Sequence, residues 1–168
     1  GWFQGEFPVL TGWRALAPFR ISRHDPSAPK ELGQSYFSGG AGTLARAEQT
    51  LDLSALAEDI DRGAVRFELA ARLGTQKLAP TRISCAVEFL SEQRKTLASS
   101  VLGPVGRDAK GEELGYAAGD SRAELLARTT SGKLPRKTRL ARVILLAEGE
   151  PSVEQTRADE VRLELAKE

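Results

Sequence analysis

The chain has few of the residues from which metal sites, disulfides and nucleophilic active sites are built. Among its 168 residues, Cys85 is the single cysteine and His24 the single histidine, and methionine and asparagine are absent. One cysteine excludes an intrachain disulfide, and this pair alone cannot supply the ligands of a usual zinc site. Disulfide scaffolds and zinc modules are therefore excluded.

An excess of charge of one sign is also absent. The chain has 24 basic and 23 acidic side chains, which gives a net charge of +1. Such a balanced chain lacks the overall positive field that attracts nucleic acid. No apolar run reaches the roughly 18 residues of a membrane-spanning helix. We therefore expect neither a nucleic-acid partner nor a transmembrane segment.

The first residues lack two features of a newly made secreted chain. Residue 1 is not methionine, and no basic start followed by an apolar segment is present. Because a signal peptide is removed from a mature protein, we expect a processed product or an excised domain.

The remaining composition is that of an ordinary globular protein. Hydrophobic residues make up 40% and charged residues 28% of a chain of 18.1 kDa, which suits one domain with its own core. We predict a single domain over residues 1–168. Residues 1–40 should form an N-terminal strand or two with loops, and residues 41–168 the body of the domain.

Four segments alternate between apolar and polar residues, the pattern of half-buried β-strands. In the first of them, Val65, Phe67 and Leu69 fall on one side of the strand, and Arg66 and Glu68 fall on the other. The four segments are residues 64–73, 82–90, 139–148 and 161–166. With turn residues between them, they predict an all-β fold, an antiparallel β-sandwich. One short helix is expected after Ser54 as its N-cap, with Gly63 as its stop.

The order of short motifs along the chain points to a family. The motifs are Tyr36 to Gly40, Gln49 to Leu53, Ile60 to Gly63 and Leu73 with Gly74, and then Gly132, Pro135 and Arg139. This order resembles a bacterial jelly-roll module with the galactose-binding-domain-like fold, an architecture shared by F-box-associated sugar-binding domains. The resemblance covers about residues 36–165. It implies a non-catalytic module that binds a glycan or another protein in an extracellular or periplasmic location.

Many relatives with this fold hold a structural calcium ion between an early glutamate and a late aspartate. Here Pro8 stands at the early position, Asp159 remains at the late one, and Glu160 replaces the usual asparagine. Calcium takes about six to eight oxygen ligands, and Asp159 is the remaining candidate for one of them. We expect no cofactor, and folding that is independent of calcium.

Carbohydrate binding combines an aromatic ring, which packs on the apolar face of a sugar, with polar side chains for the hydroxyls. Trp13, Tyr36 and Tyr116 are the aromatic candidates and are expected to be exposed, and Asp120 and Arg122 are polar residues near the last of them. For the tryptophans the alternative is that they cap the ends of the core.

No catalytic site is predicted, and we expect the chain not to be an enzyme. Cys85 alternates in register with Val87 and Phe89, which directs its thiol into the core. His24 adjoins Asp25, but neighbouring residues of an extended chain point apart.

The segment 139–147 points to a protein partner. Its inward residues should be Ala141, Val143, Leu145 and Ala147. In that register Leu140, Ile144 and Leu146 face outward, and a contiguous aliphatic stripe on an outer sheet face marks a contact surface. A loop or the N-terminal segment of the same chain would be the other cover for this stripe. The predicted function is a non-catalytic module for carbohydrate or protein; the alternative is a structural subunit that uses this apolar strand face.

Charge is distributed unevenly along the chain. Residues 48–61 carry five acids and no base, and residues 128–142 carry six bases and no acid. The basic block would suit a polyanion. The alternative is that it faces the acidic segment of the same molecule.

Overall fold

The structure is a computed structural model that describes residues 13–17, 19–23, 35–75, 79–117, 120 and 125–168. The strands in these ranges are β1 (Arg14–Ala17), β2 (Phe19–Arg23), β3 (Ser35–Gly39), β4 (Leu44–Asp52), β5 (Val65–Thr75), β6 (Thr81–Leu90), β7 (Thr96–Arg107), β8 (Glu113–Leu114), β9 (Leu126–Lys133), β10 (Leu140–Gly149) and β11 (Thr156–Lys167). A 3-10 turn (Ser54–Leu56) and the helix α1 (Ala57–Arg62) lie between β4 and β5. No helix in these ranges is long and apolar enough to span a membrane.

The strands form two antiparallel sheets. Sheet A has the order β1-β4-β10-β6-β7-β8, and sheet B has the order β2-β3-β11-β5-β9. The late strands β10 and β11 lie in the middle of the sheets, each between two earlier strands, so the sheets are assembled from distant parts of the chain. The predicted all-β antiparallel sandwich is confirmed. The described residues among the first 40 contribute three strands, β1 to β3, one more than the expected strand or two.

The inner faces of the two sheets form the core. In β5, Phe67, Leu69 and Leu73 are buried, whereas the alternate residues point to the other face. The ring of Phe67 in sheet B lies 4.7 Å, centroid to centroid, from the ring of Phe89 in sheet A. The four segments predicted from alternation correspond to β5, β6, β10 and β11, so burial of apolar side chains sets their period of two.

The short helix is present, but its start differs from the prediction. Gly63 ends α1 in the left-handed region at φ 77°, as expected. Ser54 is not the N-cap: it opens the preceding 3-10 turn, and neither helical segment has a side-chain cap. Instead the Asp52 carboxylate accepts a 2.8 Å hydrogen bond from the Ser54 amide. Hydrogen bonds from the Ser54 side chain and amide lower the pKa of Asp52. Asp52 therefore forms an Asx turn with the residue that opens the 3-10 turn, and it does not cap either helical segment.

Candidate functional site

The outer face of sheet B is polar from edge to edge. Its residues alternate with those of the core, so the registers of β3, β11, β5 and β9 bring them side by side. We call this surface the polar face. It contains Tyr36, Ser38, Arg66, Glu68, Ala70, Arg72, Ala127, Thr129, Ser131, Lys133, Arg157, Asp159, Arg162, Glu164 and Ala166.

A depression of about 320 Å³ lies on the polar face across β11, β5 and β9. It is lined by Arg66, Phe67, Glu68, Ser131, Glu164, Leu165 and Ala166. The register places Glu68 between Glu164 on one side and Ser131 on the other. The small side chains of Ser131 and Ala166 leave room among longer charged ones, and this volume lies near the lower limit for small-ligand sites.

Two carboxylates face each other in this depression. Glu68 and Glu164 are direct cross-strand partners, an arrangement that is unfavourable for like charges. Arg162 offsets it, because its guanidinium lies 3.6 Å from Glu68 and 3.1 Å from Glu164. All three side chains are about half exposed. The depression therefore offers hydrogen-bond acceptors and donors to a ligand from solvent.

A second ion-pair cluster lies where β5, β9 and the C-terminus meet. The Glu168 carboxylate accepts hydrogen bonds from Lys133 at 2.7 Å and from Arg66 at 3.1 Å. These bonds, that of Lys133 first, lower the pKa of Glu168. Arg66, which lines the depression, is thereby held by an anionic partner near one end of it.

Tyr36 lies at the opposite side of the polar face, on β3. The guanidinium carbon of Arg157 lies 4.6 Å above the centre of the Tyr36 ring, a cation–π contact. The hydroxyls of Ser22 and Ser38 are 2.8 Å apart on the same face. The structure thus places Tyr36 on the polar face and half-buried, with Arg157 over one side of its ring.

The second predicted cluster has a structural role in a loop. The Asp120 carboxylate accepts a 2.8 Å hydrogen bond from the Ala117 amide and lies 3.4 Å from Arg128. Tyr116 packs against the core, and its buried hydroxyl has no hydrogen-bond partner among the residues that the structure describes. Its expected exposed position is therefore wrong. Arg122 lies outside the described residues.

The two predicted aromatic sites do not come together. Tyr36 is on β3, whereas Arg128, the partner of Asp120, is on β9, and two strands of sheet B separate them. This separation is on the order of 14 Å at the usual strand spacing. Tyr36 and Tyr116 therefore do not form one cleft.

Trp13 is not an exposed platform. Its side chain is 7% exposed, and its ring lies 5.2 Å from that of Phe37 on the inner side of sheet B. The expectation of an exposed Trp13 is wrong, because its ring is buried in the core. This burial agrees with the alternative, in which the tryptophans cap the ends of the core. Its large apolar area explains the result, because burial of such a ring is strongly favourable. Trp2 lies outside the described residues.

The register predicted for β10 is confirmed, but its outward stripe is largely covered. Ile144 faces outward between Glu48 of β4 and Ala86 of β6, yet it is only 7% exposed. Leu140 and Leu146 are half-buried. The inward residues Ala141, Val143, Leu145 and Ala147 are fully buried.

Charged side chains lie beside this stripe. Arg142 donates a 2.8 Å hydrogen bond to Glu88, and Arg46 lies 3.5 Å from Glu48. The register sets both pairs next to Ile144 or its neighbours. Long charged side chains can cover apolar surface with their aliphatic stems. Ile144 is therefore not an open contact surface, which corrects the expected exposure.

Asp159, the remaining candidate for a calcium ligand, lies on β11. It is 7% exposed, and its Oδ1 accepts a 2.8 Å hydrogen bond from the Glu160 amide. No group of three or more His, Cys, Asp or Glu side chains is placed to hold a metal among the described residues. Pro8 lies outside these residues, so the expectation of calcium-independent folding stays a prediction.

The residues of the depression were not singled out from sequence. Arg66 and Glu68 were recognised as the solvent side of an alternating strand, but the same holds for many charged residues. What distinguishes these residues from other exposed charged residues is the strand register, which sets Glu68 against Glu164, 96 positions later. A sequence signal for this pairing is absent because β-sheet contacts are not encoded by local spacing.

Comparison with known proteins identifies the architecture. No family model and no curated protein matches the sequence. Solved structures do match. The enzymatically active domain of tailspike protein 4 from bacteriophage CBA120 superposes with a TM-score of 0.61 at 14% identity, over 95% of this chain and 20% of that one. A family 16 carbohydrate-binding module 2 gives a TM-score of 0.54 at 11% identity, over 89% of this chain and 86% of that one.

The chain has the galactose-binding-domain-like jelly-roll fold. A third match is a pair of modules from the xylanase 10B of Clostridium thermocellum, CBM22-1 with GH10, solved with xylohexaose. It has a TM-score of 0.50 and 12% identity, over 96% of this chain and 27% of that one. The chain thus spans about a fifth of the tailspike chain and most of the family 16 module. At these identities the likeness establishes the fold.

Proposed function

We propose that this chain is a non-catalytic module that binds carbohydrate on its polar face. The observation that carries the proposal is the depression across β11, β5 and β9, with half-exposed carboxylates and guanidiniums around small side chains. The fold supports it, since the family 16 carbohydrate-binding module matches over most of both chains. The xylanase structure with the same fold was solved with xylohexaose. We further propose an extracellular or periplasmic location.

The chemistry of the depression suits sugar hydroxyls. The carboxylates of Glu68 and Glu164 accept hydrogen bonds, and the guanidinium groups of Arg66 and Arg162 donate them. Each sugar hydroxyl both donates and accepts, so neighbouring hydroxyls can bind this alternating set. Charge-assisted hydrogen bonds are the stronger kind. Ala166 provides a small apolar surface for the C–H groups of a ring.

We propose no hydrolytic step for this site. A glycosidase places its two carboxyl groups on either side of the scissile bond in a site from which bulk water is excluded. Glu68 and Glu164 instead lie side by side on neighbouring strands, about half exposed and joined by Arg162.

A glycan array followed by titration calorimetry tests the proposal. For any glycan that binds, Ser131→Tyr should weaken binding at least about tenfold, because a ring at this position fills the depression. The matched control is Thr129→Tyr, an exposed residue on the same strand and face that does not line the depression. Equal effects of both variants would reject this location. A chain that binds no glycan on the array would reject the function.

The second candidate is a structural subunit that contacts other chains through the outward side of β10. The observation in its favour is the pair of half-buried residues Leu140 and Leu146, which the register sets on the outer face of sheet A on either side of the covered Ile144. Leu140→Thr combined with Leu146→Thr would weaken assembly while the melting temperature of the isolated domain stays unchanged. Loss of stability by more than about 2 kcal/mol would instead identify these residues as internal packing.

A further inference from the structure

The outer edge of β7 is an extended strand without charge. From Thr96 to Gly106 the sequence TLASSVLGPVG contains no Asp, Glu, Lys or Arg, in a chain with 28% charged residues. Natural sheet edges are usually protected from pairing with other chains by charged side chains, proline or a bulge. The edge strands β2 and β9 follow that rule: each carries basic residues, Arg20 and Arg23 in one and Arg128 and Lys133 in the other. In β7 the proline, Pro104, lies near the C-terminal end, and the register shifts against β6 fall at Leu97 and around Gly103, so Ala98 to Leu102 is the regular, uncharged part of this edge.

This edge is also largely unpaired. One side of β7 pairs with β6 over nearly its whole length. On the other side, β8 is its partner among the described strands, and it pairs only with Gly106 and Arg107. Backbone groups of an antiparallel strand point alternately to its two sides. Those of Thr96 to Leu102 that point away from β6 therefore have no partner strand among the described residues.

Two of the exposed large aliphatic side chains lie on this edge. Val101 is 55% exposed and Leu97 is 37% exposed. Ser99 lies midway between them, and the alternation of exposure from Leu97 to Val101 places all three on one face of the strand. Val101 is the cross-strand partner of Ala86, which faces outward in sheet A.

We propose that β7 pairs with β7 of a second copy of this chain, antiparallel and about a two-fold axis at Ser99. In this register Leu97 of each copy lies opposite Val101 of the other, because the two residues are equally far from Ser99. Both exposed aliphatics then form cross-strand contacts, and the unpaired backbone groups bond across the axis. Because the strand has no charge, no like charges oppose each other in the paired strands.

The interface is isologous, as closed dimers require. Sheet A would continue across it into the second copy. The polar face belongs to sheet B, on the far side of the sandwich, so pairing leaves both proposed carbohydrate sites open. Two linked sites on one assembly raise the avidity for a repeating glycan.

Sedimentation velocity from about 1 μM to about 1 mM, the range of moderate to weak affinity, tests the proposal. The wild-type chain should show a concentration-dependent dimer. Ser99→Lys sets two lysines against each other across the axis and should weaken the dimer at least about tenfold. The control is Thr129→Lys, an exposed position on the edge strand β9, which should leave the dimer unchanged.

A charge swap tests the register itself. Ser99→Asp should also dissociate the dimer, and an equimolar mixture of the Ser99→Lys and Ser99→Asp chains should restore association, because opposite charges then meet. A wild-type chain that remains monomeric over the whole concentration range overturns the proposal. A strand of another protein would then be the remaining candidate partner for this edge. A dimer that survives both charged variants, or that the mixture does not restore, overturns it as well. Glycan binding by the Ser99→Lys chain checks the proposed function separately.

Discussion

Asp61 of α1 and Arg139, 78 positions later, form a two-pronged ion pair. The guanidinium of Arg139 donates hydrogen bonds of 3.1 and 2.6 Å to the two carboxylate oxygens, and the Lys137 amide donates a third of 2.8 Å. The acidic segment thus faces part of the basic block, as one of the two alternatives predicted. Arg142 and Lys133 of the same block also have acidic partners, Glu88 and Glu168. Three of the six bases of the block, Lys133, Arg139 and Arg142, therefore pair with acids within the molecule.

Replacement of Asp61 should change how stability depends on pH. Hydrogen bonds from Arg139, and then from the Lys137 amide, lower the pKa of Asp61. A lowered folded-state pKa stabilises the fold above the unfolded pKa, which is about 3.9, and this contribution is lost as pH falls through the folded value. Asp61→Asn should therefore melt at a lower temperature than wild type at pH 7.

The effect should be small, because surface ion pairs contribute little. The difference in melting temperature should narrow as pH drops below about 4. Glu154→Gln, at an exposed loop position, is the control and should melt like wild type throughout. A gap between wild type and Asp61→Asn that stays constant down to the lowest pH would contradict this assignment.

Cys85 should be inert in the folded protein. It is fully buried in β6, and burial raises the pKa of its thiol to about 12. The thiolate is the reactive form, so a thiol reagent at pH 8 should label the native chain only as fast as it unfolds. Labelling should become rapid in denaturant. Fast stoichiometric labelling of the native chain would show that this part of the core is open.

Two glycines with similar backbone angles should respond differently to alanine. Gly149 has φ 140° and Gly42 has φ 130°, so an alanine is strained at both. A Cβ at Gly149 would also collide with the carbonyl oxygen of Pro80, whereas nothing lies within 4 Å of one at Gly42. Gly149→Ala should lower the free energy of unfolding by about 1–3 kcal/mol more than Gly42→Ala. Equal losses in urea denaturation would show that the contact relaxes freely.

Folding should not depend on calcium. Asp159 already binds the Glu160 amide, and the described residues hold no group of acidic ligands around it. A chelator should therefore leave the melting temperature unchanged, since a ligand stabilises only the state that binds it. Added calcium should have no effect either. A fall of several degrees with chelator, reversed by calcium, would identify a site that includes residues outside the described ranges.

The local alternation of apolar and polar residues was sufficient to predict the strands that bury one face in the core. In β5, β6 and β11 the inward residues are mostly apolar and the outward ones mostly polar, and this alternation is a direct consequence of burying one face. In β10 the inward face is apolar as well, but the outward positions include Leu140, Ile144 and Leu146. The short helix and its end at Gly63 were also predictable from the sequence, because a left-handed C-cap favours glycine. The position of Cys85 followed from the same alternation.

The edge strand β9 shows where local pattern fails. Its inward positions include Arg128 and Gly132, and a pattern with arginine and glycine does not predict a core-facing side. A Cβ at Gly132 would lie 3.1 Å from the ring of Phe67, so glycine there accommodates an aromatic side chain from the neighbouring strand. Arg128 reaches Asp120 beyond the sheet edge. Both residues are explained by partners on other segments, Phe67 and Asp120, so the sequence of β9 alone does not predict them.

The sequence by itself determined the all-β class, the faces of the main strands and the inert thiol, because each depends on one strand and its period. Only the tertiary structure decided that Trp13 is buried, that Ile144 is covered and that Glu68 meets Glu164 beside Arg162. These outcomes depend on which strands become neighbours and in which register. Strand pairing joins residues far apart in the chain through backbone hydrogen bonds that every residue type can make, so it leaves little trace in local composition.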